Sequence, residues 1–171
     1  MNKNGKINYF KITLGIIIAL SASRFIPHPP NFTSLLALSF YIPVFLGLRF
    51  VPALLFAFVV TDFFIGFHNL TLFTWGSVLI ISFIAKYLKK NVYHRISGAL
   101  LGGLVFFIFT NFGVWALGSY GYTFQGLVLC YILAIPFFTN TIVSTLIFSI
   151  IIEALYKTTI MYFPKTENLT K

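Results

Sequence analysis

Asp62 is the only acidic residue in the first 150 positions, and it stands in VVTDFFIGFHN six residues before His68. A second polar cluster, SRFIPHPPNF (residues 23–32), holds Arg24, His28 and Asn31 among Pro27, Pro29 and Pro30. These side chains admit three chemistries. Asp62 and Arg24 can pair and lock the proline segment in place. The group can instead contact a polar solute directly, because ionisable residues at membrane depth tend to be functional. His28, His68 and Asp62 can also form a His/His/carboxylate set for a divalent metal such as nickel, cobalt or zinc. No HxxH or HExxH spacing supports that third option. Acid–base catalysis ranks last, since no nucleophile–base pair stands out and Asp62 and Glu153 fall at opposite ends of the apolar pattern.

Two further stretches carry polar groups in apolar surroundings. TNFGVW (residues 110–115) supplies Asn111 and Trp115, and PFFTNT (residues 136–141) supplies Asn140. A buried amide in lipid needs a partner from another helix or from a ligand. Prolines restrict the chain to extended or turn shapes, so residues 23–32 form a stiff strap. Thr33 is placed to cap the helix that follows it. The pocket expected from this pattern is built by the strap, Asp62, His68, Asn111, Trp115 and Asn140.

The elements that must position these residues are read from composition. The chain has 171 residues, 58% of them hydrophobic and 9% charged, where a soluble domain carries about 25% charged residues. The mean hydropathy is +0.93. An all-α integral membrane domain spanning residues 1–171 is expected, embedded in lipid. The net charge of +9 does not point to nucleic acid, because the basic residues lie in short links between apolar runs. The one cysteine, Cys130, excludes an internal disulfide and a cysteine metal cluster. No cofactor is called for.

The apolar runs are Phe10–Ser23, Phe32–Leu48, Phe50–Phe67, Leu70–Ala85, Ile96–Leu117 and Phe124–Tyr156. A spanning helix needs about 20 residues. The last run would extend about 50 Å as a single helix and contains Pro136. It divides into a short broken or re-entrant helix over residues 124–138 and a sixth span from Asn140. Thr139, Asn140 and Thr141 then lie on non-helical backbone lining a cavity, or cap the last span. With the N-terminus in the cytoplasm, six crossings put every Lys and Arg except Arg24 on the inner side, as the positive-inside rule requires. This predicts a multi-pass protein of the inner (plasma) membrane with cytoplasmic tails at residues 1–9 and 158–171. The strap faces outward.

Gly15, Ala19 and Ser23 recur every four residues on the first span, and Gly98 and Gly102 do so on the fifth. Both stripes allow close helix approach. The glycine pair is expected inside the bundle, whereas the first stripe is a candidate for docking a partner.

The blocks RFIPHPPNFT, TDFFIGFH, TNFGVW and CYILAIPFFTNT resemble those of an uncharacterised bacterial integral membrane family. That family is related to the substrate-binding S-components of energy-coupling factor (ECF) transporters. The resemblance covers about Ser23 to Ser144. It implies a six-helix S-component-like bundle that captures a vitamin or cofactor precursor, with first-helix small residues facing a transmembrane coupling subunit. The sequence has no P-loop, so partner ATPases would supply the energy. The chain departs from the family pattern at Ser34, where proline is expected. It departs again at Ser144 and Thr145, where a glycine–aspartate pair is expected.

Overall fold

The computed structural model describes residues 9–162, with side chains through Thr159. Of the expected tail of residues 1–9, residues 1–8, with Lys3 and Lys6, lie outside the described residues, as does the segment carrying Lys165 and Lys171; Tyr9 already belongs to the first helix. Within them the fold is all-helical: α1 (Tyr9–Phe25), α2 (Leu35–Phe45), a 3-10 turn (Leu48–Phe50), α3 (Val51–Ile65), α4 (Thr71–Ala85), α5 (Val92–Ala116), α6 (Phe124–Leu133) and α7 (Ile135–Tyr162).

Local sequence explains most boundaries. Pro52 sits in the first turn of α3, where its missing N–H costs nothing. Gly66 ends α3 with φ +113°, a conformation open to glycine. The Asn91 side chain accepts from the His94 N–H and starts α5, and the Thr123 hydroxyl accepts from the Gly126 N–H and starts α6. Ser34, not Thr33, holds the cap position of α2 and makes no side-chain cap bond, but the Thr33 hydroxyl accepts from the first helical N–H, that of Leu35, at 3.4 Å.

Among the described residues, three segments are long and apolar enough to cross a membrane: Leu48–Ile65, Val92–Ala116 and Ile135–Thr159. The helices α2, α4 and α6 are apolar but shorter. Hydropathy overstates α2 in particular, because Phe32–Ser34 belong to the strap and Gly47, at φ +94°, breaks the chain after Phe45. The exterior is apolar: Phe63 and Phe64 are 69% and 70% exposed. Water would penalise such a surface, and lipid tails would not.

The core centres on α2, which is buried from Leu35 to Ala37 and from Ser39 to Pro43. It packs against α4, α5 and α7, while α1 lies chiefly against α3. The glycines of α5 make this contact close. A Cβ on Gly98 would lie 2.5 Å from the Phe40 ring, and one on Gly102 would lie 3.0 Å from Ile81. The glycine pair therefore packs inside the bundle, as expected.

The division of the last apolar run differs from expectation. The break falls at Ala134, not at residues 139–141. Pro136 lies in the first turn of α7, where helices leave N–H groups unpaired in any case. Thr139, Asn140 and Thr141 are helical. Thr139 returns its hydroxyl to the Ile135 carbonyl, so it caps nothing. Nor is α6 re-entrant. Its contacts descend α5 in order: Trp115 to Thr123, Asn111 to Cys130 and Ile108 to Tyr131. Phe107 then meets Phe138, and Arg95 meets Glu153 on α7. The two helices run the same way as one long, offset element. The C-terminal boundary also shifts, because α7 remains helical through Tyr162, past the tail expected from residue 158.

Charged and aromatic groups gather at the two ends. Arg49 lies over the rings of Tyr9 and Phe50. Nearby in the same half, Arg95 and Glu153 pair beside Phe45 and Tyr156. Arg24, Asp62, His28 and His68 lie in the other half, with the strap.

Candidate functional site

The strap leaves α1 at Phe25 and turns at Pro29, whose carbonyl accepts from the Phe32 N–H at 3.0 Å. Asn31 has φ +62°, the one positive φ outside glycine among the described residues. Asparagine tolerates that left-handed state better than most residues. Three contacts fasten the strap. Asn140 Nδ2 donates to the Pro30 carbonyl at 3.1 Å. Ser144 Oγ donates to the Asn31 carbonyl at 3.4 Å. The hydroxyls of Ser23 and Ser34 meet at 2.7 Å, closing the base of the loop.

Beside the strap lies the buried ion pair. Arg24 Nη1 donates to Asp62 Oδ1 at 2.6 Å and to Thr61 Oγ1 at 2.6 Å. Trp75 Nε1 donates to Asp62 Oδ2 at 2.8 Å. Both carboxylate oxygens are thus engaged, and Asp62 is 1% exposed. The expected Asp62–Arg24 lock is present, and Asp62 stands behind Arg24 and does not line the cavity. Arg24 lies over the Phe58 ring at 4.7 Å.

A cavity of about 250 Å3 opens against Arg24, His28, Asn31, Thr33, Phe58 and His68. A second chamber of about 200 Å3 is bounded by Asn111, Thr110 and Phe138. The two share Asn31, His68, Thr74, Phe106 and Thr141, so they adjoin. Each is small for a ligand site taken alone, and together they fall in the lower part of the usual ~300–1,000 Å3.

The two histidines differ in protonation pattern. His28 Nδ1 lies 2.7 Å from the Pro29 carbonyl and must donate to it, which in the neutral ring leaves Nε2 an acceptor. His68 Nδ1 accepts from the Leu70 N–H at 3.2 Å, which in the neutral ring leaves Nε2–H a donor. In their neutral forms the two rings offer the cavity one acceptor and one donor.

Of the residues expected to build the pocket, Arg24, His28, Asn31, His68 and Asn111 line it. Asn140 serves instead by holding the strap. Trp115 is elsewhere, donating to the Thr123 carbonyl and fixing the loop into α6. The metal set is not assembled: Asp62 is taken by Arg24 and Trp75, and no cluster of three metal-ligating side chains occurs among the described residues. Thr141 lines both chambers, as expected, though from a helix and not from non-helical backbone. Sequence reasoning missed Trp75, Thr74 and Phe106. Trp75 sits in an ordinary apolar stretch, TLFTWGS, and nothing in its spacing reveals a carboxylate across the helix interface.

On the first span, Ser23 is used in the strap, whereas Gly15 and Ala19 remain exposed. They line an open apolar groove with Leu38, Phe45 and Leu155.

A model described as a family of unknown function (DUF6580) matches residues 5–166. No curated protein and no solved structure matches the chain.

Proposed function

The chain belongs to this family of unknown function, and on its own geometry we propose that it is the solute-capturing subunit of an uptake system in the plasma membrane. The observation that carries this reading is the two-chambered cavity walled by Arg24, His28, Asn31, His68 and Asn111 beside a fastened proline strap. A pre-shaped wall loses little entropy when a ligand arrives. The cargo is a small hydrophilic molecule of the vitamin or cofactor-precursor kind, held by stacking, burial and a few polar contacts.

The proposed topology has six crossings, namely α1 to α5 and the joined α6–α7, with both termini cytoplasmic. Support comes from the placement of Arg49, Lys86, Lys89, Lys90, Arg95 and Lys157 toward the end away from the strap. The short helices are accommodated by local bilayer thinning and snorkelling. The likeness to S-components of ECF transporters belongs to the same reading. The exposed Gly15–Ala19 stripe then receives a transmembrane coupling subunit, and partner ATPases drive release.

The test is native mass spectrometry of gently extracted protein, together with thermal shifts across a vitamin panel. One bound small molecule per chain is expected, along with a stabilising shift that His68→Ala and Asn111→Ala each abolish. Protein that carries nothing and shifts with nothing in the panel would overturn the reading.

A further inference from the structure

Thr141, Thr145, Ser149 and Glu153 recur every four residues along α7. They share one face, about 6 Å apart along the axis. Thr141 lines both chambers of the cavity. Glu153, at the other end of the series, binds Arg95 through both oxygens, at 2.6 and 2.7 Å. The two residues between them are 1% and 0% exposed, and their hydroxyls have no partner.

That is unusual in this molecule. Ser39, Ser77, Thr110, Thr141 and Thr158 each return the hydroxyl to the carbonyl four residues back. Thr145 and Ser149 make no such bond. A third orphan meets them from α2. The Tyr41 hydroxyl lies beside Ser149 and Glu153 but reaches hydrogen-bonding geometry with neither. Buried polar groups left without a protein partner are where internal water binds. Left dry, each orphan would keep the full desolvation penalty of an unpaired buried group. On α5, Gly103 faces this stretch, and a Cβ placed there would lie 4.0 Å from Thr145 Oγ1 but 3.1 Å from Ile142 Cδ1, so the absence of a side chain at Gly103 leaves what room there is. The site is polar on several sides, as an internal water requires.

We propose that a file of bound water runs from the cavity down this face of α7 to the Arg95–Glu153 pair, held by the hydroxyls of Thr145, Ser149 and Tyr41. The ligand of the site is water, and the file extends the cavity into a hydrated route through the bundle. The ion pair closes its far end. There Tyr41 from α2 lies beside Glu153, Tyr156 from α7 lies under the Arg95 guanidinium, and Phe45 stacks on Tyr156 at 4.0 Å. The proposal holds whatever the cavity carries.

The experiment is X-ray hydroxyl-radical labelling of the full chain in lipid nanodiscs, in water enriched in oxygen-18. Radicals formed from bound water mark the side chains it touches. Phe40, the neighbour of Tyr41 and 0% exposed, serves as the dry control. At least tenfold more label is expected at Tyr41 than at Phe40, falling several-fold in a Thr145→Val/Ser149→Ala double variant. Equal labelling of Tyr41 and Phe40 in the native chain overturns the proposal. So does a double variant labelled at Tyr41 as strongly as the native chain. The native comparison stands even if the variant fails to fold.

Discussion

Trp75 of α4 holds the carboxylate of Asp62 in α3 by an indole N–H to Oδ2 bond of 2.8 Å, while Arg24 of α1 takes the other oxygen. One buried acid thus joins three helices and sets the position of a cavity wall. Its role is to fix Arg24, which does face the cavity.

Removing that acid should be costly. Asp62→Asn leaves Arg24 short of its counter-charge, and loss of one partner of a buried pair typically costs about 3–5 kcal/mol. Trp75→Phe removes a bond to a charged group and should cost less, about 1.5–3 kcal/mol. Thermal unfolding in detergent should rank native, Trp75→Phe, Asp62→Asn in falling order. A native-like melting temperature for Asp62→Asn would show that the pair does not hold the helices together.

The strap should loosen without the bundle melting. Asn140→Ala frees the Pro30 carbonyl, which is already near solvent, so the stability loss should stay within about 1.5 kcal/mol. Hydrogen exchange at Phe32, whose N–H bonds Pro29, should quicken several-fold while the α7 amides keep their protection. Unchanged exchange at Phe32 would mean that the prolines alone hold the strap.

At the opposite end, Glu153→Gln should separate α5 from α7. The pair is bidentate, with side chains 12% and 10% exposed, so a loss of about 3 kcal/mol is expected. The charge-reversed double variant Arg95→Glu/Glu153→Arg should recover part of it. Additive losses in the double variant would argue against a direct pairing energy.

Two glycines on different faces should respond in opposite ways. Gly98→Leu drives a side chain into Phe40, and overpacking of this kind costs about 1–3 kcal/mol or more. A Cβ at Gly15 meets nothing within 4 Å, so Gly15→Leu should fold normally. Under the proposed coupling it should also block co-purification of a partner membrane subunit. A Gly15→Leu chain that melts well below the native one would place that stripe inside the fold.

Much of the architecture was legible because transfer to lipid is a property of each residue. A 58% hydrophobic, 9% charged chain admits few alternatives to apolar helices, and a lone acid among them calls for a cation, which made Asp62–Arg24 readable. Gly98 and Gly102 marked a close contact for the same reason. Hydropathy says nothing about where a helix shifts its axis, and so it put the break of the last run at residues 139–141, where the chain is helical. Nor does it show which hydroxyls find a carbonyl. Composition and spacing by themselves determined the helical class and the outlying strap, and offered the Asp62–Arg24 pair as one of three readings. Only the tertiary structure decided that Asp62 sits behind the cavity wall, that Asn140 ties the strap, that Trp115 lies elsewhere, and that Tyr41, Thr145 and Ser149 converge unpartnered. Those outcomes depend on side-chain rotamers and on neighbours from distant helices, which no local pattern encodes.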